Sequence, residues 1–241
     1  MKYYFLVSYL PDLRREDKKI KVRFGDLLAE KDQIAEEDWL QVELILLAAD
    51  IFLTEKLRSG KNVEVEYTLY DQEFWKNLVE IFQTGVSERL GPHEVDHLWE
   101  AYYDHAIETT TSDFLRDYFR FEKDLRNIVA AVRARRKGLA PFDHVVGESD
   151  VVDLLSKSSA EDFGLGREYP WVERLVQTQE PLQLEDSIEQ IVWEYVDQKT
   201  EHLDFEFDVI LAYLLKLQLL ERRLSLSDEQ GMAVVRQLEE L

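Results

Sequence analysis

The chain has 241 residues, of which 45% are hydrophobic and 12% aromatic, which is enough apolar material for one large domain or two small ones. Its formal net charge of −21 repels phosphate backbones and anionic lipid headgroups, so we expect no nucleic-acid partner. Cysteine is absent, which excludes disulfides, thiolate metal ligands and a cysteine nucleophile. The amino-terminal apolar run is short and ends at Pro11, and we do not interpret it as a signal peptide.

Helical periodicity dominates the first half of the chain. A helix is predicted from about Asp32 to Gly60. Residues 61–71 alternate between apolar and polar side chains, which predicts an extended segment, and the plausible strand partner, residues 3–9, fits a helix equally well. Two further helices are predicted, one capped by Asp71 and ending at Gly85, the other over residues 93–108.

The segment from Ser112 to Gly138 gives the strongest helical signal. Its apolar residues recur at steps of four and three, which places them on one face of a long helix: Phe114, Tyr118, Phe121, Leu125, Ile128 and Val132. Asp113 begins this helix and basic residues at 133–137 end it, as the helix dipole favours. Gly138 is predicted to take the left-handed conformation, and Pro141 prevents continuation.

The last 100 residues combine a loose segment with further helices. Residues 138–170 are rich in glycine and proline, and only Asp150–Lys157 is predicted to be helical there. The later helices are predicted after Pro170, after a capping box at Asp186 and Glu189, from Asp204 to Leu224, and after a second box at Ser227 and Gln230. The apolar run at 205–220 is interrupted by charges and too short to span a bilayer, so we expect a buried helix and no direct membrane insertion.

These elements predict an all-α, multi-helix bundle with at most a minor short β-hairpin. A similar spacing of polar residues in the two long helices suggests two similar helical units. We expect an N-terminal helical region at residues 1–111 and a C-terminal helical region at 112–241, or else one continuous domain.

One short pattern suggests a metal site. His93, Glu94 and His97 match H-E-x-x-H, in which two histidines one helical turn apart hold Zn²⁺ and the glutamate activates water. Glu122 is the candidate third ligand. The pattern is weak, because Asp96 puts a charge where such a helix is usually apolar, and its alternative is a solvated helix start. We therefore assign no catalytic residue, cofactor or metal, and we expect a protein that is not an enzyme.

A basic cluster ends the helix that begins at Asp113. Arg133, Arg135 and Arg136 compensate the helix dipole in one interpretation and bind an acidic partner in the other. Because arginine is enriched at interface hot spots, these three residues are the predicted partner-binding site.

Two of the predicted helices carry an order of residues found in a known family. Residues 114–141, FLRDYFRFEKDLRNIVAAVRARRKGLAP, have an aromatic-rich start, then E-x-D-L-x-N-I, then an arginine-rich end before Gly-Leu. Residues 207–226, FDVILAYLLKLQLLERRLSL, carry a matching Tyr213, Lys216 and Glu221. These segments resemble the C-type subunit of V/A-type ATPases, whose vacuolar counterpart is the d-type subunit. Residues 1–13 and 147–166 are more similar still to uncharacterised bacterial proteins that accompany V/A-type ATPase components.

The resemblance implies a non-catalytic, all-helical adaptor between the central-shaft subunits and the membrane rotor ring, bound through protein contacts. It also implies a cytoplasmic location, peripheral to a membrane complex. The members of that family have three similar helical units, whereas this chain has room for about two, which leaves an assembly role open. The alternatives are a helical zinc hydrolase that uses His93, Glu94 and His97, and a generic helical interaction or assembly protein.

Overall fold

The computed structural model describes residues 3–58, 67–71, 73 and 94–239. Within these ranges the chain is all-α, as its periodicity predicts, and no strand is present. The described α-helices are α1 (Tyr4–Tyr9), α2 (Phe24–Leu28), α3 (Glu36–Arg58), α4 (Glu94–Thr109), α5 (Asp113–Arg136), α6 (Asp150–Lys157), α7 (Val172–Gln177), α8 (Pro181–Thr200) and α9 (Phe207–Glu239). Two 3₁₀ helices, Lys31–Gln33 and Pro141–His144, lie between them.

The first of the two segments considered for a β-hairpin is helical. Residues 3–9, the plausible strand partner, contain α1, and residues 67–71 are irregular. Residues 61–66 lie outside the described residues, as does most of the helix predicted to end at Gly85. Asp71 has a capping contact, since its Oδ1 accepts a hydrogen bond from the Glu73 backbone N–H at 2.6 Å.

Helix α5 begins and ends close to the predicted bounds. All six residues of its predicted apolar face are buried. Ser112 is its N-cap, because Ser112 Oγ accepts a hydrogen bond from the Leu115 backbone N–H at 3.0 Å. Gly138 takes the predicted left-handed conformation at φ +69°, and the Leu139 N–H donates to the Ala134 carbonyl at 2.9 Å. The sequence signals at both ends of this helix are confirmed.

Three other helix boundaries were predicted wrongly. Helix α3 begins at Glu36, because residues 31–33 form a separate 3₁₀ turn and Ile34 is extended. Helix α8 begins at Pro181, where a proline ring suits the first turn, so the pair taken for a capping box lies inside the helix. Helix α9 starts at Phe207 and continues through Ser227 to Glu239, since no proline interrupts it.

The chain divides into two compact units. The first contains residues 1–39 and 189–241, and the second contains residues 40–188. The boundary predicted between residues 111 and 112 therefore lies inside the second unit.

The second unit is built around α5, which packs against α4, α6, α7 and the 3₁₀ helix at Pro141–His144. Asn127 on α5 ties down the following loop, because its amide donates to the Val146 carbonyl at 3.0 Å and accepts from the Val146 N–H at 2.9 Å. Phe163 and Leu165 are buried, so the glycine-rich segment packs against the unit.

The first unit has α9 as its longest helix. Helix α2 packs against α9, and the Phe24 backbone N–H donates to Glu221 Oε1 at 2.9 Å. The Tyr3 ring lies 4.9 Å from the Phe207 ring, centroid to centroid. Most residues between 210 and 220 are buried, which confirms the predicted buried helix.

Across the described ranges, no helix has an apolar stretch of the length needed to cross a bilayer.

Candidate functional site

The three arginines predicted to bind a partner each contact another segment of the second unit. Arg133 pairs with Glu185 on α8. Arg135 donates to the backbone carbonyls of Ser158, at 2.8 Å, and Ala160, and its guanidinium carbon lies 3.6 Å from the centre of the Phe163 ring.

Arg136 completes the set by capping a neighbouring helix. Its Nη2 donates to the Leu175 carbonyl at 2.6 Å and to the Val176 carbonyl at 3.1 Å. Both carbonyls belong to the last turn of α7, where a helix has unsatisfied acceptors and the negative end of its dipole. Arg135 and Arg136 thus hold loop and helix backbone to the end of α5. Partner binding by the three arginines stays a prediction.

The residues of the zinc pattern are only partly described. His93 lies outside the described residues, and His97 is on α4 with its side chain 72% exposed, where its Nδ1 lies 3.3 Å from Glu100 Oε2. Glu122, the candidate third ligand, accepts a hydrogen bond from the Tyr118 hydroxyl group at 3.2 Å. Among the described side chains, no group of three or more histidines and carboxylates is arranged to hold a metal ion.

Sequence reasoning missed a second property of Glu122. Its carboxyl group lies among aromatic rings. One oxygen accepts the bond from Tyr118. The other, Oε2, is sealed from solvent and has no hydrogen-bond partner in the described part of the chain. Burial raises the pKa of Glu122 to about 7, although the Tyr118 hydrogen bond and the nearby Arg126 charge oppose the shift.

Aromatic residues on α4 and α5 surround this carboxyl group. Tyr102 and Tyr103 are buried with their ring centroids 5.0 Å apart. The Tyr103 ring stacks on Trp99 at 5.9 Å, and the Tyr102 ring meets Phe119 edge-on at the same distance. Burial raises the phenol pKa of both tyrosines well above the usual value, and the negative charge of Glu122 adds to the effect.

A second carboxylate, Glu55 on α3, is stabilised by charge. It accepts a hydrogen bond from the Trp99 indole at 3.1 Å and lies 3.7 Å from Arg126, whose guanidinium carbon is 4.1 Å from the centre of the Trp99 ring. Burial acts to raise the pKa of Glu55, but the indole hydrogen bond and the charges of Lys56 and Arg126 outweigh it, so the pKa is lowered.

The two carboxyl groups therefore differ in their chemistry. Glu55 is ionised and paired, whereas Glu122 can bind and release one proton near neutral pH. The sequence does not distinguish Glu55 from Glu122, because each is a single glutamate on a helix with aromatic neighbours. The distinguishing feature is the packing of α4 against α5, which becomes visible only in three dimensions.

The described residues form helices and no strand, which defines an all-α protein. The chain belongs to the family described as "Protein of unknown function (DUF2764)", which matches residues 52–241. It is similar to an uncharacterised protein of Chlamydia muridarum (strain MoPn / Nigg), with 31% identity over 154 residues. That match covers 55% of this chain and 56% of the relative, so the chain spans about half the length of the curated relative. No solved structure matches the chain.

Proposed function

We propose that the chain is a non-catalytic accessory or central-stalk component of a V/A-type rotary ATPase, similar to the C-type subunit. In this role it links the central-shaft subunits to the membrane rotor ring through protein contacts, on the cytoplasmic side and peripheral to the membrane complex. The all-helical architecture supports this proposal, as does the resemblance of residues 114–141 and 207–226 to the helices of that subunit.

The observation that carries the proposal is the use that α5 makes of its E-x-D-L-x-N-I segment. Leu125 and Ile128 are buried, Asp124 accepts a hydrogen bond from the Tyr169 hydroxyl group at 2.9 Å, and Asn127 binds the Val146 backbone. The side chains that carry the resemblance thus hold the second unit together. A motif used for packing is compatible with an adaptor, and the proposal rests on this fold-level analogy to the C-type subunit.

Co-expression tests the proposal directly. The chain would be produced together with the V/A-type shaft subunits and rotor ring of the same organism, and the purified assembly measured by native mass spectrometry. We expect a complex that contains the chain at a fixed stoichiometry. An ATPase that assembles fully without the chain, and never retains it, would contradict the proposal. Retention only in partly assembled complexes would instead favour an assembly role.

A charge exchange tests whether the arginine cluster contributes to this binding. The double variant Arg133→Glu with Glu185→Arg keeps the ion pair but reverses both charges on the surface. Because the pair is retained, we expect thermal stability to fall by no more than about 1 kcal/mol, from the reversed charge at the end of α5, and retention in the complex to weaken. Equal retention of the variant and the wild type would show that Arg133 takes no part in binding. Arg135 and Arg136 are unsuitable for this test, since both bind backbone carbonyls within the unit.

A further inference from the structure

A second basic cluster lies in the first unit, between α1 and α2. Six of the chain's 29 basic residues and only two of its 50 acidic residues fall at positions 14–23, which we call the basic loop. Five of the six basic side chains are exposed: Arg14, Lys18, Lys19, Lys21 and Arg23. Among the described residues, no ion pair involves Arg14, Lys18, Lys19 or Lys21. This differs from the cluster at the end of α5, whose arginines are occupied within the unit.

The backbone of the basic loop is fixed at several points. Arg15, the sixth basic residue, lies 3.3 Å from Glu189 Oε1, and the Asp17 carbonyl accepts a hydrogen bond from Arg223 at 3.3 Å. Val22 is buried, and the Phe24 N–H binds Glu221. These anchors alternate along the chain with the exposed cations. The positive side chains therefore project from an ordered backbone, which lowers the entropy lost when a partner binds.

Exposed aromatic residues precede the loop on α1. Phe5 is 75% exposed and Tyr9 is 62% exposed. Four residues separate Tyr9 from Arg14, so the two backbone positions, five steps apart along the chain, are at most about 18 Å apart. Exposed aromatic residues and arginine are enriched at protein-binding surfaces, and the lysines, which are depleted from the cores of such surfaces, fit a polar rim.

We propose that residues 4–23 bind an acidic segment of a partner protein that also carries apolar side chains. The cations of the basic loop would pair with its carboxylates, while Phe5 and Tyr9 would bury its apolar residues. We favour a short peptide segment as the partner, rather than a membrane or a nucleic acid, because the rest of the chain is strongly acidic. All but two of the 50 acidic residues lie outside the loop, and an extended anionic surface would meet them. Charges further than about 8 Å from such a segment are largely screened at physiological ionic strength, so it is subject mainly to the loop's own cations and to the carboxylates that contact the loop or the residue after it, Glu189 and Glu221.

Fluorescence anisotropy with the full chain tests this proposal, which does not depend on the ATPase role. The probe is a fluorescein-labelled peptide of four Glu-Glu-Leu-Glu repeats. We expect the affinity for this peptide to fall about threefold when the NaCl concentration rises from about 50 to about 300 mM, because salt screens the attraction between exposed charges. The variant Lys18→Glu/Lys19→Glu/Lys21→Glu should bind about tenfold more weakly, as expected for the loss of three exposed ion pairs.

Two controls separate the surface from general charge effects. The variant Arg120→Glu/Lys157→Glu/Arg167→Glu changes the net charge equally at exposed positions of the second unit and should bind the peptide like the wild type. If it weakens binding as much as the loop variant does, net charge explains the affinity and the proposal is wrong. No binding of the peptide by the wild type also overturns it.

The aromatic residues and the class of partner are tested separately. The variant Phe5→Ser/Tyr9→Ser should weaken binding of the leucine-containing peptide but not of a peptide with serine in place of leucine. Equal effects on both peptides would remove the aromatic residues from the site. Vesicles of phosphatidylcholine with phosphatidylserine, and a single-stranded oligonucleotide, should bind more weakly than the peptide. Tighter binding of either would reassign the surface to a membrane or a nucleic acid.

Discussion

Replacing Glu122 by glutamine removes the ionisable group from the aromatic cluster of α4 and α5 while keeping its shape. The glutamine carbonyl can still accept the hydrogen bond that Tyr118 donates to Glu122 Oε1. The variant therefore isolates the energetic effect of charging a carboxyl group whose second oxygen is buried without a hydrogen-bond partner in the described part of the chain.

The magnitude follows from the pKa of Glu122. Burial raises it from 4.5 to about 7, and a shift of this size corresponds to about 3 kcal/mol. The folded protein holds the proton more tightly than the unfolded chain does, so stability falls as the pH rises from 4.5 to about 7. Above that range the full cost is present. Since glutamine carries no charge, we expect the variant to be more stable than the wild type by about 2–3 kcal/mol at pH 8.

At pH 5 the two proteins should be within about 1 kcal/mol of each other, because the protonated carboxyl group and the carboxamide are both neutral. Urea unfolding followed by circular dichroism at pH 5, 6, 7 and 8 measures the difference. Glu108→Gln, at an exposed glutamate of α4, is the matched control and should follow the wild-type curve. A constant difference between Glu122→Gln and the wild type across this pH range would refute the reasoning.

Three further substitutions test the contacts that define the second unit. Asn127→Ala removes two hydrogen bonds to Val146, so we expect a loss of about 2 kcal/mol in urea unfolding and faster hydrogen exchange at the Val146 amide. Gly138→Ala places a side chain at φ +69°, with no atom within 4 Å of the new Cβ. Backbone strain alone should therefore destabilise the variant by about 1 kcal/mol, and an unchanged melting temperature would contradict this. Arg135→Lys keeps the charge but loses the planar guanidinium group that lies over Phe163 and bonds several carbonyls. The variant protein should be less stable by about 1–2 kcal/mol, and wild-type stability would show that the charge alone suffices.

Local sequence signals predicted α5 well, because both its ends and its buried face depend on residues close in sequence. The steps of four and three marked its core face, and Gly138 marked its end. The capping boxes at Asp186 and Ser227 failed for a related reason. A capping box forms only where its first residue lies outside the helix. Pro181 begins α8 before Asp186, and nothing interrupts α9 at Ser227, so both boxes lie inside longer helices.

The properties of individual side chains were less predictable, because they depend on residues distant in the chain. Glu122 was considered for a metal site on spacing alone, whereas the structure surrounds it with tyrosines from α4 and α5. The basic loop passed unnoticed for the opposite reason. Its excess of basic residues is visible in the sequence, but only the contacts of Arg15 and Asp17 show which of its residues are anchored and which cations remain exposed.

Arg135 and Arg136 bind main-chain carbonyl oxygens, and this has a consequence for how related chains are compared. Any residue at positions 158, 175 or 176 supplies the same carbonyl, so a substitution there needs no compensating change in the arginine. Methods that infer contacts from paired substitutions depend on such compensation. Such methods would therefore detect little coupling between Arg136 and α7, whereas Arg135 also contacts the Phe163 side chain and can covary with it.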